Sequence, residues 1–508
     1  MVFRKTAKKM FYKIKYLLLT ILIVFVMVLM LFFQSCNSKK INFNTNQAIG
    51  KVSNTFGPPL NRDIDNDKDK DAAVVLNNIA GGNGDDKVYS MYLDSNGKIY
   101  ITGNSFNGKN SDAYVLRLNN DGKIDNSFGT NLNRDINGDG VTDSAVVLDN
   151  IAGANGGDGG KSIYIDSNSN VYITGWSYSA NEDMFVIKLN PDGSLVKTFG
   201  NKGKVVLNNI AGGNGNDTGN SIYVDNQEKI YVTGSSWNGS NYDMYVIKLN
   251  PDGSMDKTFG NQGKVVLDNI AGGKGNDFGK SIYLDSKGKI YVLGESYNGN
   301  NFDIYVLRLN KDGSLDRSFN NRGKIILDNI AGGNREDRAN SIYVNSNGKI
   351  YIAGISSKKM INLFSSLYFT FVPCVLQLNI NGNLNNSFGS NGKVILNDMA
   401  GIFGIGMIGK TNSIYVDNNG KIFITGYRLN FLDGIKQGYN TYVVRLNPDG
   451  SLDKTFGNKG KLIINNIAGG SKDDLGESMY VDKYGKIYVT GESSNGNNLD
   501  VYVIKIEW

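Results

Sequence analysis

Apolar residues along this chain come in short runs divided by Asn, Asp, Gly and Lys, and the runs repeat. Residues 221–234, SIYVDNQEKIYVTG, are written with variations seven times; the second half recurs at Ile99, Val171, Ile230, Ile290, Ile350, Ile422 and Ile487, in steps of 72, 59, 60, 60, 72 and 65 residues. An apolar VVLNNIAGG precedes each copy, a DMYVIKLN follows it, and NPDGSLDKTFG closes the unit. Self-similarity at such a period marks a repeat architecture.

Each unit predicts four short strands, exemplified by residues 205–208, 221–225, 229–233 and 243–249. Strands two and three are joined by turns such as Ser95-Asn96-Gly97 and Asn418-Asn419-Gly420, which favour positive φ and so a hairpin. Strand four ends on Asn250-Pro251-Asp252-Gly253, where proline presets φ and glycine closes the turn. Apolar residues occupy both parities of the strands, so both sheet faces are buried. Four-stranded sheets stacked face to face in a ring satisfy that, and the expected fold is all-β: a seven-bladed β-propeller of four-stranded antiparallel blades. The TFG tripeptide or its variant falls at Thr55, Ser127, Thr198, Thr258, Ser318, Ser387 and Thr455. The chain therefore enters before a VVL strand and leaves after a YVIKI strand, with seven complete sets and no partial blade.

The first residues differ from the rest. Arg4, Lys5, Lys8, Lys9, Lys13 and Lys15 precede residues 17–33, a run without charge, and then Gln34, Ser35 and Cys36. A basic n-region and an apolar h-region ending at a cysteine resemble a bacterial lipoprotein signal. The resemblance implies a signal peptide over 1–35, lipid on Cys36, a polar tether over 36–53 and the propeller over 54–508. The alternative is an uncleaved signal anchor spanning the membrane through residues 17–33. Either way the expected location is the bacterial cell envelope, outside the cytoplasm. The whole net charge of +6 lies before Cys36, so the remainder is neutral and no nucleic-acid partner is expected. Cys374 is the only other cysteine, and the absence of histidine removes His-based catalysis and His metal ligation.

DGSLDKTFGNKGKLII at 449–464 resembles the delta-60 repeat of bacterial surface proteins, and GNDTGNSIYVD followed by KIYVTG resembles the related SBBP propeller repeat. The resemblance spans residues 54–508. It implies that SIYVD is the innermost strand and VVLNNI the outermost, so that residues 73–77 complete the blade containing 478–506. The sequence also permits the other phase, with VVLNNI innermost and every blade contiguous. Neither phase names a function.

Candidate chemistry lies where copies depart from the repeat. One insertion carries Asp135, Asn137, Asp139, Val141 and Asp143, with oxygen ligands at positions 1, 3, 5 and 9, a backbone carbonyl at 7 and Gly140 at 6. It resembles the calcium loops of dockerin and thrombospondin repeats, without the bidentate Glu of an EF-hand, so Ca²⁺ binding is expected to be weak. Asp63, Asp65, Asp67, Asp69 and Asp71 repeat the carboxylate spacing with Lys68 in place of glycine. The competing reading of both is a solvated acidic turn. Phe106, Tyr178, Trp237 and Tyr297 occupy one loop position in four consecutive blades. With Phe364, Phe369 and Phe403 from apolar insertions they are a candidate crescent for a protein or glycan ligand; the alternative packs these rings between blades. Asp86, Asp158, Asp217, Asp277, Asp337 and Asp474 recur in nearly every copy and read as structural carboxylates accepting backbone N–H bonds. With no repeat-breaking acid/base cluster visible, a lipid-anchored, non-catalytic binding or adhesion module is the expected function. The alternatives are a propeller enzyme of lyase, glycosidase or lactonase type and a purely structural envelope protein.

Overall fold

The computed structural model of the protein describes residues 50–361, 367–399, 409–432 and 435–508; Cys36, Phe364 and Phe403 lie outside the described residues. No helix among the described residues is long and apolar enough to cross a membrane.

Seven antiparallel sheets make seven blades. In blade three the strands Asp217–Val224, Ile230–Trp237, Tyr242–Leu249 and Lys264–Leu267 pair in chain order, and blades two and four to six repeat that order. Blade one inserts Thr130–Asn131 before its fourth strand, Ser144–Leu148. Blade seven takes its fourth strand from the other end of the chain. Val74–Leu76 pairs with Leu499–Glu507 in the register Val74↔Val503, Val75↔Tyr502, Leu76↔Val501. Lys51–Val52 adds to the same strand, as Lys51↔Glu507 and Val52↔Ile506. SIYVD is thus the inner strand and VVLNNI the outer one, and the contiguous phase is excluded. Closing the ring in this way removes the edge that blade seven would otherwise expose.

The conserved letters of the unit each do a mechanical job. Isoleucines and valines on both parities fill cores shared between neighbouring blades, as where Tyr172, Val186 and Phe199 of blade two meet Ile222, Val232 and Ile247 of blade three. The phenylalanine of every TFG is at most 1% exposed. In IYVTG the threonine hydroxyl donates to the third strand, Thr102 Oγ1 to the Tyr114 carbonyl at 2.7 Å. The glycine sits opposite a bulge in the inner strand: a Cβ on Gly234 would lie 1.8 Å from the Thr218 carbonyl oxygen, so no other residue fits. That carbonyl accepts instead from the buried Tyr245 hydroxyl at 3.0 Å. Blades are clasped to one another by the TFG glycine, whose N–H reaches the Asp-Gly turn of the following blade, as Gly200 N to Asp252 O at 2.7 Å.

The apolar insertions of blades five and six lengthen one hairpin in each. Ile350–Ile361 pairs with Leu367–Leu378 as far as Ile361↔Leu367, and Ile422–Leu432 pairs with Ile435–Leu446 as far as Leu432↔Ile435. Phe369 lies on the first of these hairpins, opposite Lys359.

Candidate functional site

Each inner strand touches the inner strands on either side, so the seven form a closed circle around a central channel. The repeated serine of SIYVD ties them together: Met91 N donates to Ser478 Oγ and Ile222 N to Ser162 Oγ, both at 3.2 Å. Two residues on, Tyr92, Tyr164, Tyr223, Tyr283, Tyr343, Tyr415 and Tyr480 form an unbroken ring, with neighbouring centroids 5.0–6.2 Å apart. One level of the channel is therefore perfectly repetitive.

The level nearer the other mouth is not. The residue before each serine is in turn Tyr89, Lys161, Asn220, Lys280, Asn340, Asn412 and Glu477. Three of these are structural, since the Asn220, Asn340 and Asn412 amides donate to carbonyls of the next inner strand at 2.9, 2.6 and 2.9 Å. The other four are a phenol, two lysines and a carboxyl: Tyr89, Lys161, Lys280 and Glu477. Beside Glu477, from the second strand of blade seven, stands Glu492, 5% exposed, whose Oε1 accepts from Val88 N of blade one at 3.0 Å. Blade six adds Lys410, 5.6 Å above the Tyr427 ring, and Lys161 lies 5.1 Å above the Tyr89 ring. Across the channel the buried Glu295 takes Lys280 and Arg338, both at 3.1 Å.

The two carboxyls of the first group stand in unequal fields. Burial, then repulsion from Glu477, pushes Glu492 well above the usual carboxyl range, against the pull of the Val88 N–H, Lys87 and Lys410. Burial raises Glu477 as well, opposed by Lys410 and Lys161. Lys161 is lowered by burial and by Lys280. The Tyr89 and Tyr427 phenols are raised by burial and by these glutamates. Both carboxyls are raised, Glu492 the further, and neighbouring carboxyls set apart in this way divide the roles of general acid and general base.

The residues singled out in the sequence are distributed as follows. Phe106, Trp237 and Tyr297 are half-buried and Tyr178 is 47% exposed. Each covers a glycine of its own blade, and a Cβ at Gly215 would fall 2.6 Å from the Trp237 ring. Trp237, Tyr242, Phe278 and Phe302 follow one another at centroid distances of 5.4, 5.8 and 5.8 Å, with Tyr297 5.8 Å from Phe302. This string reaches the mouth, where Lys280 lies 5.0 Å over Phe278 and Arg338 4.6 Å over Phe302.

In the second acidic insertion Asp135 accepts from Gly138 N and Gly140 N, both at 2.7 Å, and Asn137 Nδ2 donates to Asp139 at 3.1 Å. Val141 is exposed, while Asp143 is buried and accepts from Ile136 N at 2.8 Å. In the first, Asp63, Asp65 and Asp71 bring carboxylate oxygens within 4.8 Å of one another, and Asp67 lies 3.8 Å from Lys51. The recurrent inner-strand aspartates are structural as expected: Asp217 accepts from Asn209 N at 2.8 Å and Ile210 N at 3.3 Å, and five other blades match it, blade six having Gly409 at that position.

Sequence reasoning missed Tyr89, Lys161, Lys410, Tyr427, Glu477 and Glu492. The available signal was variation: in a chain that otherwise copies itself, the residue before the serine changes charge from blade to blade.

The sequence matches a family described as "Domain of unknown function (DUF5122) beta-propeller" over residues 95–128, 229–259, 288–319 and 418–456. No curated protein matches it. Among solved structures it is similar to the polysaccharide lyase Uly1, at 11% identity and a TM-score of 0.45 over 91% of this chain and 98% of that one. It is also similar to an α-L-arabinanase of Penicillium chrysogenum, at 12% identity and a TM-score of 0.38 over 67% and 91%. A gluconolactonase of Xanthomonas campestris matches at 12% identity and a TM-score of 0.30 over 67% and 90%. At these identities the likeness extends to the fold alone. The expectation of a non-catalytic protein rested on the absence of a repeat-breaking polar cluster, and that premise is corrected: Glu477 and Glu492 stand together in the channel with Lys161 and Lys410 near them. The chain is a repeat β-propeller of seven four-stranded blades.

Proposed function

We propose that the channel mouth is an active site for general acid–base cleavage of an anionic carbohydrate, by hydrolysis or elimination. The observation that carries this is the group of Glu477, Glu492, Lys161 and Lys410, which sets two glutamates side by side where Glu295 across the channel stands alone with Lys280 and Arg338, in a molecule whose other channel level repeats seven times. Glu492, held neutral by burial, donates a proton to the leaving oxygen; Glu477 accepts one from water or from a carbon beside the substrate carboxylate. Lys161 and Lys410 attract the anion, and the string from Trp237 to Phe302 offers faces on which sugar rings stack. The two long hairpins of blades five and six give the rim a higher side for an extended chain to lie against.

The test incubates the full chain with acidic and neutral polysaccharides, following reducing ends and the ultraviolet absorbance of unsaturated uronates. Glu477→Gln and Glu492→Gln should each lower turnover about 10²–10⁴-fold with unchanged melting temperature. Equal rates in the variants, or no turnover of any acidic polymer, would sink the proposal.

The delta-60 and SBBP character of the repeats and the lipid on Cys36 belong to the same proposal, which sets the propeller on a tether outside the cytoplasm. Cys36→Ser should abolish incorporation of labelled fatty acid and leave an unprocessed precursor. Normal labelling of that variant would remove the anchor.

A further inference from the structure

The segment before the closing strand holds a group of acids that the channel does not use. Asp63, Asp65 and Asp71 place oxygens within 4.8 Å of one another. Two oxygens that share a Ca²⁺ ion at about 2.4 Å each can stand no further apart than about 4.8 Å. Lys51, the nearest amine, turns to Asp69 at 3.0 Å and Asp67 at 3.8 Å; among the described residues no cation pairs with the other three. Asp71 is 1% exposed. Its Oδ2 accepts from Ile64 N at 2.8 Å, while its Oδ1 is buried with no partner at all. A buried carboxylate oxygen left unpaired costs free energy that a bound cation would recover.

The group is joined to both ends of the ring. Asp65 Oδ2 accepts from Val52 N at 2.7 Å, and Val52 pairs with Ile506 of the last strand. Ile64 O accepts from Asn465 N at 3.0 Å, and the Arg62 guanidinium donates to the Ile467 carbonyl. The donors are all oxygen, and a chain without histidine offers no softer ligand here. We infer that Asp63, Asp65 and Asp71 form a Ca²⁺ site that fastens the incoming chain to the closing blade. The loop of Asp135 to Asp143 shares the backbone pattern but not the gathered carboxylates, which makes it the internal control.

The full chain, stripped with EDTA, is titrated with CaCl₂ by calorimetry and followed by thermal melting. Binding with a dissociation constant of about 10⁻⁴–10⁻³ M and a higher melting temperature are expected. The double variant Asp63→Asn, Asp71→Asn should weaken binding at least about tenfold and lose the melting shift, while Asp135→Asn, Asp139→Asn keeps both. If circular dichroism shows the first double variant misfolded, Asp63→Asn alone, at an exposed position, takes its place with the same expected loss. Absence of heat and of a melting shift in the wild type at about 10 mM Ca²⁺ overturns the inference. So does full retention of both in the folded Asp63 variant.

Discussion

Truncating Leu76 to alanine should cost about 2–5 kcal/mol, at the upper end of core truncations, although Leu76 sits on the outermost strand of a blade. The outer strands of blades two, three and five are half-buried on every residue, as in Lys264–Leu267. Val74 and Leu76 are instead 0% exposed, because they share a core with Phe56, Ile79 and Ile136, the last from the second insertion. Leu76 also carries the bond between the two ends of the chain, through Leu76↔Val501. Opening that pairing exposes the edge of Leu499–Glu507 and lets the ring gape, so the loss spreads beyond one contact. Leu267→Ala, the equivalent change in blade three, should cost less by at least about 1 kcal/mol, because its side chain starts half in water. Urea denaturation of both variants decides it. Equal midpoints would mean that the closing strand bears no more load than any other.

Seven four-stranded blades were legible from the hairpin turns and two-parity apolar runs, but the letters permitted two strand phases, and only the pairing Leu76↔Val501 decides between them. The recurrent aspartates were legible because what appears in nearly every copy does the same job in each of them. The channel site was not. Glu492 meets Val88 across 404 residues of sequence, and Glu477, Lys161 and Lys410 come from three different blades. No local pattern places such residues together; only closing the circle does. The burial of Asp71 was hidden likewise, since an acidic turn with period-two aspartates reads as solvated until the closing blade is laid against it. The loop aromatics carried two readings in the sequence, and Trp237 and Tyr297 are seen to cover glycines of their own blades.

Replacing Asp316 by alanine should cost about 3–5 kcal/mol at neutral pH, the range found when one partner of a buried ion pair is removed. The Asp316 side chain is 8% exposed and that of Arg308 7%; the carboxylate takes Arg308 Nε at 2.9 Å and Lys289 Nζ at 2.7 Å. Ser318 donates to its other oxygen through both hydroxyl and backbone N–H, at 2.7 and 3.1 Å. Arg308 also bonds the Ile380 carbonyl of blade five and lies 4.8 Å from the Phe319 ring, so losing Asp316 leaves a sequestered cation at the junction of two blades. Burial alone would raise the carboxyl, but Lys289, Ser318 and Arg308 outweigh it and hold it well below the usual range. Asp125, Asp256 and Asp453 repeat the arrangement with the same result. A carboxyl depressed in the fold stabilises above its unfolded value of about 3.9, and that contribution is lost as pH falls through the folded value. The four should therefore fail together in acid, and Asp316→Ala should differ from the wild type by less at about pH 3 than at pH 7. Urea midpoints at the two pH values test this. A difference that stayed the same would assign the loss to packing around Arg308 and not to its charge.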